Sequence, residues 1–237
     1  MHGVKFSTAG ASSSSCRERH VDTLPQVWHC FQVRTQLARA NAMKTISIAT
    51  ALTILASAAH GAECIDAKAA KAGFILERPG IHSEFRPAAG GMVSVANEYQ
   101  SQSPQTQFLF GGLIEVFRDS ETGQLAMIPF SDVRKLFPLK AGAKSKTLFV
   151  RLAANKQPKG TETLEINVKG KETFSLGDCK YNVLAVRQTI KNEAGKTQDE
   201  FTALYAPDLQ AVLARRYDEG TNAESVVGYE VIKPLPN

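Results

Sequence analysis

From Met92 onward the chain alternates. Met92-Val93-Ser94-Val95-Ala96-Asn97-Glu98-Tyr99 sets Val93 and Val95 against Met92 and Ser94. This is the period of two that a half-buried strand requires. Strand-like runs follow at 107–110, 113–118, 124–130, 146–153 and 163–169, the first after a polar loop at 101–106. The last third is the clearest. Residues 180–191 set Asn182, Leu184, Val186, Gln188 and Ile190 against Val183, Ala185, Arg187 and Thr189. Asn192-Glu193-Ala194-Gly195 turns that strand, and 197–205 pairs back with Phe201, Ala203 and Tyr205 on one face. Pro207-Asp208 breaks the ladder, and 209–217 and 225–232 complete a meander.

The turns agree with this pattern. Asp119-Ser120-Glu121-Thr122-Gly123 reads as a hairpin loop, and Gly111-Gly112 inside an apolar run reads as a bulge or bend. Residues 131–136 fit one short helical turn. Strong helix formers cluster only at 66–72, with Asp66 as N-cap and Gly73 as stop. The expected fold is mainly β: a curved antiparallel meander sheet, half-barrel or barrel-like, with one short N-terminal helix.

Before the meander lies a pattern of a different kind. Lys44 precedes an uncharged, mostly apolar run from Ile46 to Ala59, and small residues follow it. This is a secretory signal peptide over 43–61, with the cut before Ala62 or just after Ala59. It implies that Met43 is the start, that 1–42 is a mis-called, disordered extension, and that 62–237 is a single exported β domain. The run is short for a bilayer crossing, which takes roughly 20 apolar residues, and no later stretch is long enough, so no transmembrane segment is expected in the mature chain. Ala62 and Glu63 precede Cys64, which does not fit a lipid-anchor site. The expected location is the periplasm or the outside of a Gram-negative cell.

Removing the leader changes the charge. Of 28 Lys+Arg and 23 Asp+Glu, six basic and two acidic residues precede Ala62, so the remainder carries one excess positive charge. A near-neutral body gives no clustered basic surface for phosphates, and nucleic acid is set aside. Cys16 and Cys30 leave with the leader. Cys64 and Cys179 remain, an even count that in an oxidising compartment predicts a disulfide.

Three segments carry a resemblance. Leu136-Phe137-Pro138-Leu139-Lys140-Ala141-Gly142-Ala143-Lys144 resembles the FPLxxGK segment of small exported β-proteins of Proteobacteria. Phe110-Gly111-Gly112-Leu113 looks like their yxGL strand. Leu176–Val183 with Leu204-Tyr205-Ala206-Pro207-Asp208-Leu209 looks like their GxxxxV and YxPxL hairpin. The resemblance spans roughly 74–233 and implies a fold similar to the curved half-barrel of the periplasmic lipoprotein carriers, a sheet that can cup an apolar ligand. This chain has Ala143-Lys144 and no Trp after the Gly of the FPL segment. No catalytic residue comes with the resemblance.

A search for chemistry finds little. Only His82 of five histidines follows the leader, so no multi-His metal site is available, and no CxxC or HExxH spacing occurs. A nucleophilic site would have to use His82, whose neighbours read as a strand start. Leu176-Gly177-Asp178-Cys179-Lys180 is not a thiol-enzyme motif, and Gly111-Gly112 is not a phosphate loop. Glu115 and Glu230 read as outward-facing strand carboxylates rather than a glycosidase pair. Arg215 and Arg216 fall on opposite faces of one strand, as edge charges. No enzyme, metal or cofactor is therefore expected. The expected function is an exported, non-enzymatic β-protein binding a lipid or other apolar or envelope-associated ligand in a curved sheet. Two other classes stay open: an envelope scaffold contacting a protein through loops 101–106 and 156–160, and a hydrolase of an envelope polymer.

Overall fold

The computed structural model describes residues 64–236. The extension 1–42, the signal 43–61 and its cleavage site lie outside the described residues.

The described chain forms one antiparallel sheet of 13 strands. In chain order these are β1 (Phe74–Arg78), β2 (Ile81–Ala88), β3 (Met92–Tyr99), β4 (Gln105–Phe110), β5 (Ile114–Ser120), β6 (Gly123–Pro129) and β7 (Lys144–Ala153). They continue as β8 (Pro158–Leu176), β9 (Cys179–Asn192), β10 (Thr197–Ala206), β11 (Ala211–Tyr217), β12 (Ser225–Gly228) and β13 (Val231–Pro234). From β1 to β12 each strand pairs with the next, a meander as the alternation predicts, and the sheet is not closed.

The end of the meander differs from expectation. Residues 225–232 do not form one strand but divide at Tyr229-Glu230. β12 pairs with β11, while β13 pairs with β1 at the opposite end of the order. The Tyr229 amide donates to the Leu213 carbonyl and the Glu230 amide to the Glu77 carbonyl. One C-terminal segment thus caps both β11 and β1, which would otherwise be the bare edges that invite aggregation.

The N-terminal helix shrinks to a single 3-10 turn, Ala69–Ala72. The Asp66 carboxylate accepts from the amides of Lys68 and Ala69, but the N-cap of the turn is Lys68 and not Asp66 as expected, and Gly73 at φ 92° ends the turn at once, where the stop was expected. A later 3-10 turn, Val133–Leu136, matches the one expected there and is capped by Asp132. The strands β1 and most of β2 were not foreseen, because Phe74-Ile75-Leu76 is a continuous apolar run that periodicity cannot assign.

Two clusters of buried apolar side chains hold the sheet. One joins Phe74, Leu76, Phe85, Val93 and Val95 of β1–β3 to Tyr181, Val183, Leu204 and Leu213 of β9–β11. The other joins Phe149, Ile166, Val168, Leu184, Val186 and Tyr205 to Leu113, Ile114 and Val133. Strands β9 and β10 contribute to both, so Val183 to Val186 and Phe201 to Ala206 are buried without interruption. The long β8 serves both clusters through one bulge. Val168 faces Val186, but Gly170 faces Ala185, leaving Lys169 as the extra residue. Even positions therefore change face: Leu164, Ile166 and Val168 enter one cluster, Phe174 and Leu176 the other.

Cys64 and Cys179 form a disulfide, with Cα atoms 5.6 Å apart, tying the segment before the first 3-10 turn to the start of β9.

Candidate functional site

The segments that carry the family resemblance converge, and their role is packing. The Phe137 ring lies 5.5 Å from that of Phe110 and directly over Gly111, where a Cβ would overlap it. Gly112, at φ 70°, lies so close to the Gln210 carbonyl that a side chain there has no room. The buried Tyr205 hydroxyl donates to the Gly111 carbonyl at 2.7 Å, and burial pushes it far above the ordinary phenol range. Of the two expectations, bulge or bend, Gly111-Gly112 is thus the bend, the tight turn between β4 and β5. These residues build the second cluster and offer no reactive group.

His82 faces the partners of a structural ion network. Its Nδ1 lies 2.8 Å from Glu77 and its Nε2 3.7 Å from Glu84, while Lys233 of β13 also holds Glu77 at 2.8 Å. Hydrogen bonds from Lys233 and then His82 keep the Glu77 carboxyl below its usual range. An open groove of about 560 Å³ adjoins them, lined among others by Arg78, His82, Glu98, Tyr99 and Glu230. Ser83 follows His82 but points to the other side of β2, where it is fully buried opposite Leu76. No Ser–His pair forms there, and Cys179 is bound in the disulfide.

Glu115 is not an outward carboxylate. Arg118 holds it in a bidentate pair at 2.8 and 2.7 Å, and Gln107 donates to it at 3.1 Å. This is one end of a side-chain chain that crosses β2 to β5. The Tyr229 hydroxyl donates to Ser83, Ser83 to Asn97, and Asn97 to Gln107. Sequence reading missed it, although Asn97 in the apolar row Val93-Val95-Asn97 was a signal. Its members satisfy one another, which makes it a rigid crossbeam. Glu230 sits in the link between β12 and β13, not within a strand.

Arg215 and Arg216 do face opposite ways, but neither lies on a sheet edge, since β12 covers β11, and only Arg215 is exposed. The Arg215 guanidinium lies 4.4 Å from the Phe201 ring centre. Arg216 is only 18% exposed and is held by Glu172 and Glu219. Glu219 also receives Lys169 and the buried Thr202 hydroxyl. These bonds, that of Lys169 first, bring its carboxyl down to about 2. Among the described residues no group of three or more His, Cys, Asp or Glu is placed to hold a metal ion. No described helix is long and apolar enough to cross a membrane.

What stands out is a surface. Register places Phe108 opposite Phe117, Phe117 opposite Ala126, Ala126 opposite Leu152, and Ile128 opposite Val150. The Phe130 amide donates to the Leu148 carbonyl, extending the row past the end of β6. These side chains share one face of β4–β7, with Phe149 and Met127 on the other face in the second cluster. Ile128 is 49%, Phe130 68% and Leu148 40% exposed. An apolar surface is thus left exposed on this face, on the side of β6 and β7 opposite to the second cluster.

The same face turns polar at β7–β9. Lys146 opposes Glu165, Thr163 opposes Lys191, and Asn167 opposes Arg187. Glu165 binds Lys191 at 2.8 Å and Lys146 at 3.3 Å, which hold its carboxyl below the usual range, Lys191 most. Arg187 pairs with Glu200. A shallow groove of about 480 Å³ runs here, lined by Lys144, Lys146, Glu165, Asn167, Arg187 and Thr189 among others.

No protein-family profile matches the chain, and no curated protein matches it. Among solved structures it is similar to the hypothetical lipoprotein YmcC from Escherichia coli K12, at 13% identity and a TM-score of 0.42, over 73% of this chain and 91% of that one.

Proposed function

We propose that this is an exported, non-enzymatic envelope protein that binds an apolar or amphiphilic envelope component on the β4–β7 face of its sheet. The apolar row from Phe108 to Leu148 carries the reading. Contiguous exposed apolar surface of this kind marks a site of interaction in a water-soluble fold, since isolated exposed residues would need no such alignment. The Cys64–Cys179 bridge supports the compartment, because such disulfides form and persist where the environment is oxidising. The periplasm is the expected compartment, from the signal over 43–61.

Native mass spectrometry of protein isolated from an envelope fraction tests the binding. The expected result is an apolar adduct that is lost when Ile128 and Phe130 are both changed to Ser. Protein that carries no adduct, and gains none when mixed with an envelope lipid extract, would refute the proposal.

A further inference from the structure

The apolar row and the cations beside it share one sheet face, and this arrangement names the occupant. We propose that the β4–β7 face docks on a membrane surface bearing acidic phospholipids, with the apolar row entering the headgroup layer and the β7–β9 cations meeting the phosphates. The inference rests on the binding reading above and adds what is bound.

Form is the first argument. A pocket for a single small ligand is concave and encloses roughly 70–90% of it. Here Ile128, Phe130 and Leu148 stand open along neighbouring strands, with Phe130 the most exposed. An open row suits a surface, as the apolar side of an interfacial element does.

Charge is the second. Lys144, Lys146, Arg187 and Lys191 surround only Glu165 and Glu200 on this part of the sheet, and Lys144 makes no ion pair among the described residues. Farther along the face the excess ends, since Lys169 and Arg216 are matched by Glu172, Glu219 and Glu224. At the opposite end, the β5–β6 hairpin carries Asp119. Positive charge is therefore concentrated beside the exposed end of the apolar row. A second copy of the chain fits this poorly, because a two-fold contact would bring the basic rims together.

Flotation with vesicles tests the proposal, using phosphatidylcholine with and without phosphatidylglycerol. The intact protein should float with the acidic vesicles and bind roughly thirtyfold more weakly to phosphatidylcholine alone, from about two excess cations near the surface. Lys144→Gln with Lys146→Gln should cause a similar loss, and added salt should weaken binding. Phe130→Ser should weaken it roughly tenfold by removing one buried aromatic side chain. These side chains are exposed, so circular dichroism and the unfolding midpoint should be unchanged in every variant. Failure to float, or equal binding to both vesicles, overturns membrane docking. A bound lipid in native mass spectrometry without flotation also overturns it, while leaving the ligand reading in place. A dimer in light scattering that Phe130→Ser dissociates overturns it in favour of self-association.

Discussion

Individual residues hold this fold at places where substitution has no slack. Gly112 combines a left-handed backbone with contact to the Gln210 carbonyl, so Gly112→Ala must strain one chain or displace the other. We expect a loss of more than about 2 kcal/mol in urea unfolding. Tyr205→Phe removes only the hydroxyl that meets the Gly111 carbonyl, and about 1 kcal/mol should be lost. The Glu219 carboxyl gives a pH signature. Its folded value of about 2 lies below the ordinary 4.5, so the folded state binds its proton less tightly than the unfolded one. Its stabilisation is complete above about pH 4.5 and is lost as pH falls toward about 2. Urea titrations of the wild type and Glu219→Gln should converge over that window, and curves that stay parallel would contradict it.

At the scale of elements, the β8 bulge makes one strand serve two cores. Deleting Lys169 removes the extra residue but leaves Val168 opposite Val186 and Phe174 opposite Tyr181, so Phe174 and Leu176 keep their cluster and the deletion variant should still fold cooperatively. Lys169→Ala keeps the bulge and removes one part-exposed ion pair, and should cost about 1 kcal/mol or less. A deletion variant that no longer unfolds cooperatively would show that the local bend at the bulge, and not the pairing register alone, is needed to fill both clusters. Alternation made most of the strands legible, and the β9–β10 hairpin almost residue by residue. It could not show β8 continuing beyond Lys169, because a bulge breaks the period at the point where reading depends on it. Nor could it show the split of 225–232, since both halves alternate correctly and only the partner changes. Which face stays exposed was not legible for a related reason. Periodicity says that Ile128 and Val150 lie on one side of a strand, but not whether that side meets another layer.

Over the whole described molecule, the disulfide and the C-terminal segment tie distant parts of the chain together. Cys64 and Cys179 are 115 residues apart, so reducing the bond should lower stability by up to about 4–5 kcal/mol in the chain-entropy account. A reduced protein that unfolds at the same urea concentration would show the bridge to be energetically idle. The fold so secured has no reactive constellation at the places the sequence offered for one: His82, Glu115 and Cys179 are each engaged in structure. What it leaves open is the β4–β7 face, and the proposed binding there is the central claim. Photo-crosslinking in intact cells addresses it most directly, with a photoreactive residue placed at Phe130 and, as a control, at the exposed Asp178 of the β8–β9 turn. The account predicts a crosslink to a lipid or other apolar envelope component from position 130 and little from 178. No crosslink at 130, or the same products from both positions, would contradict it.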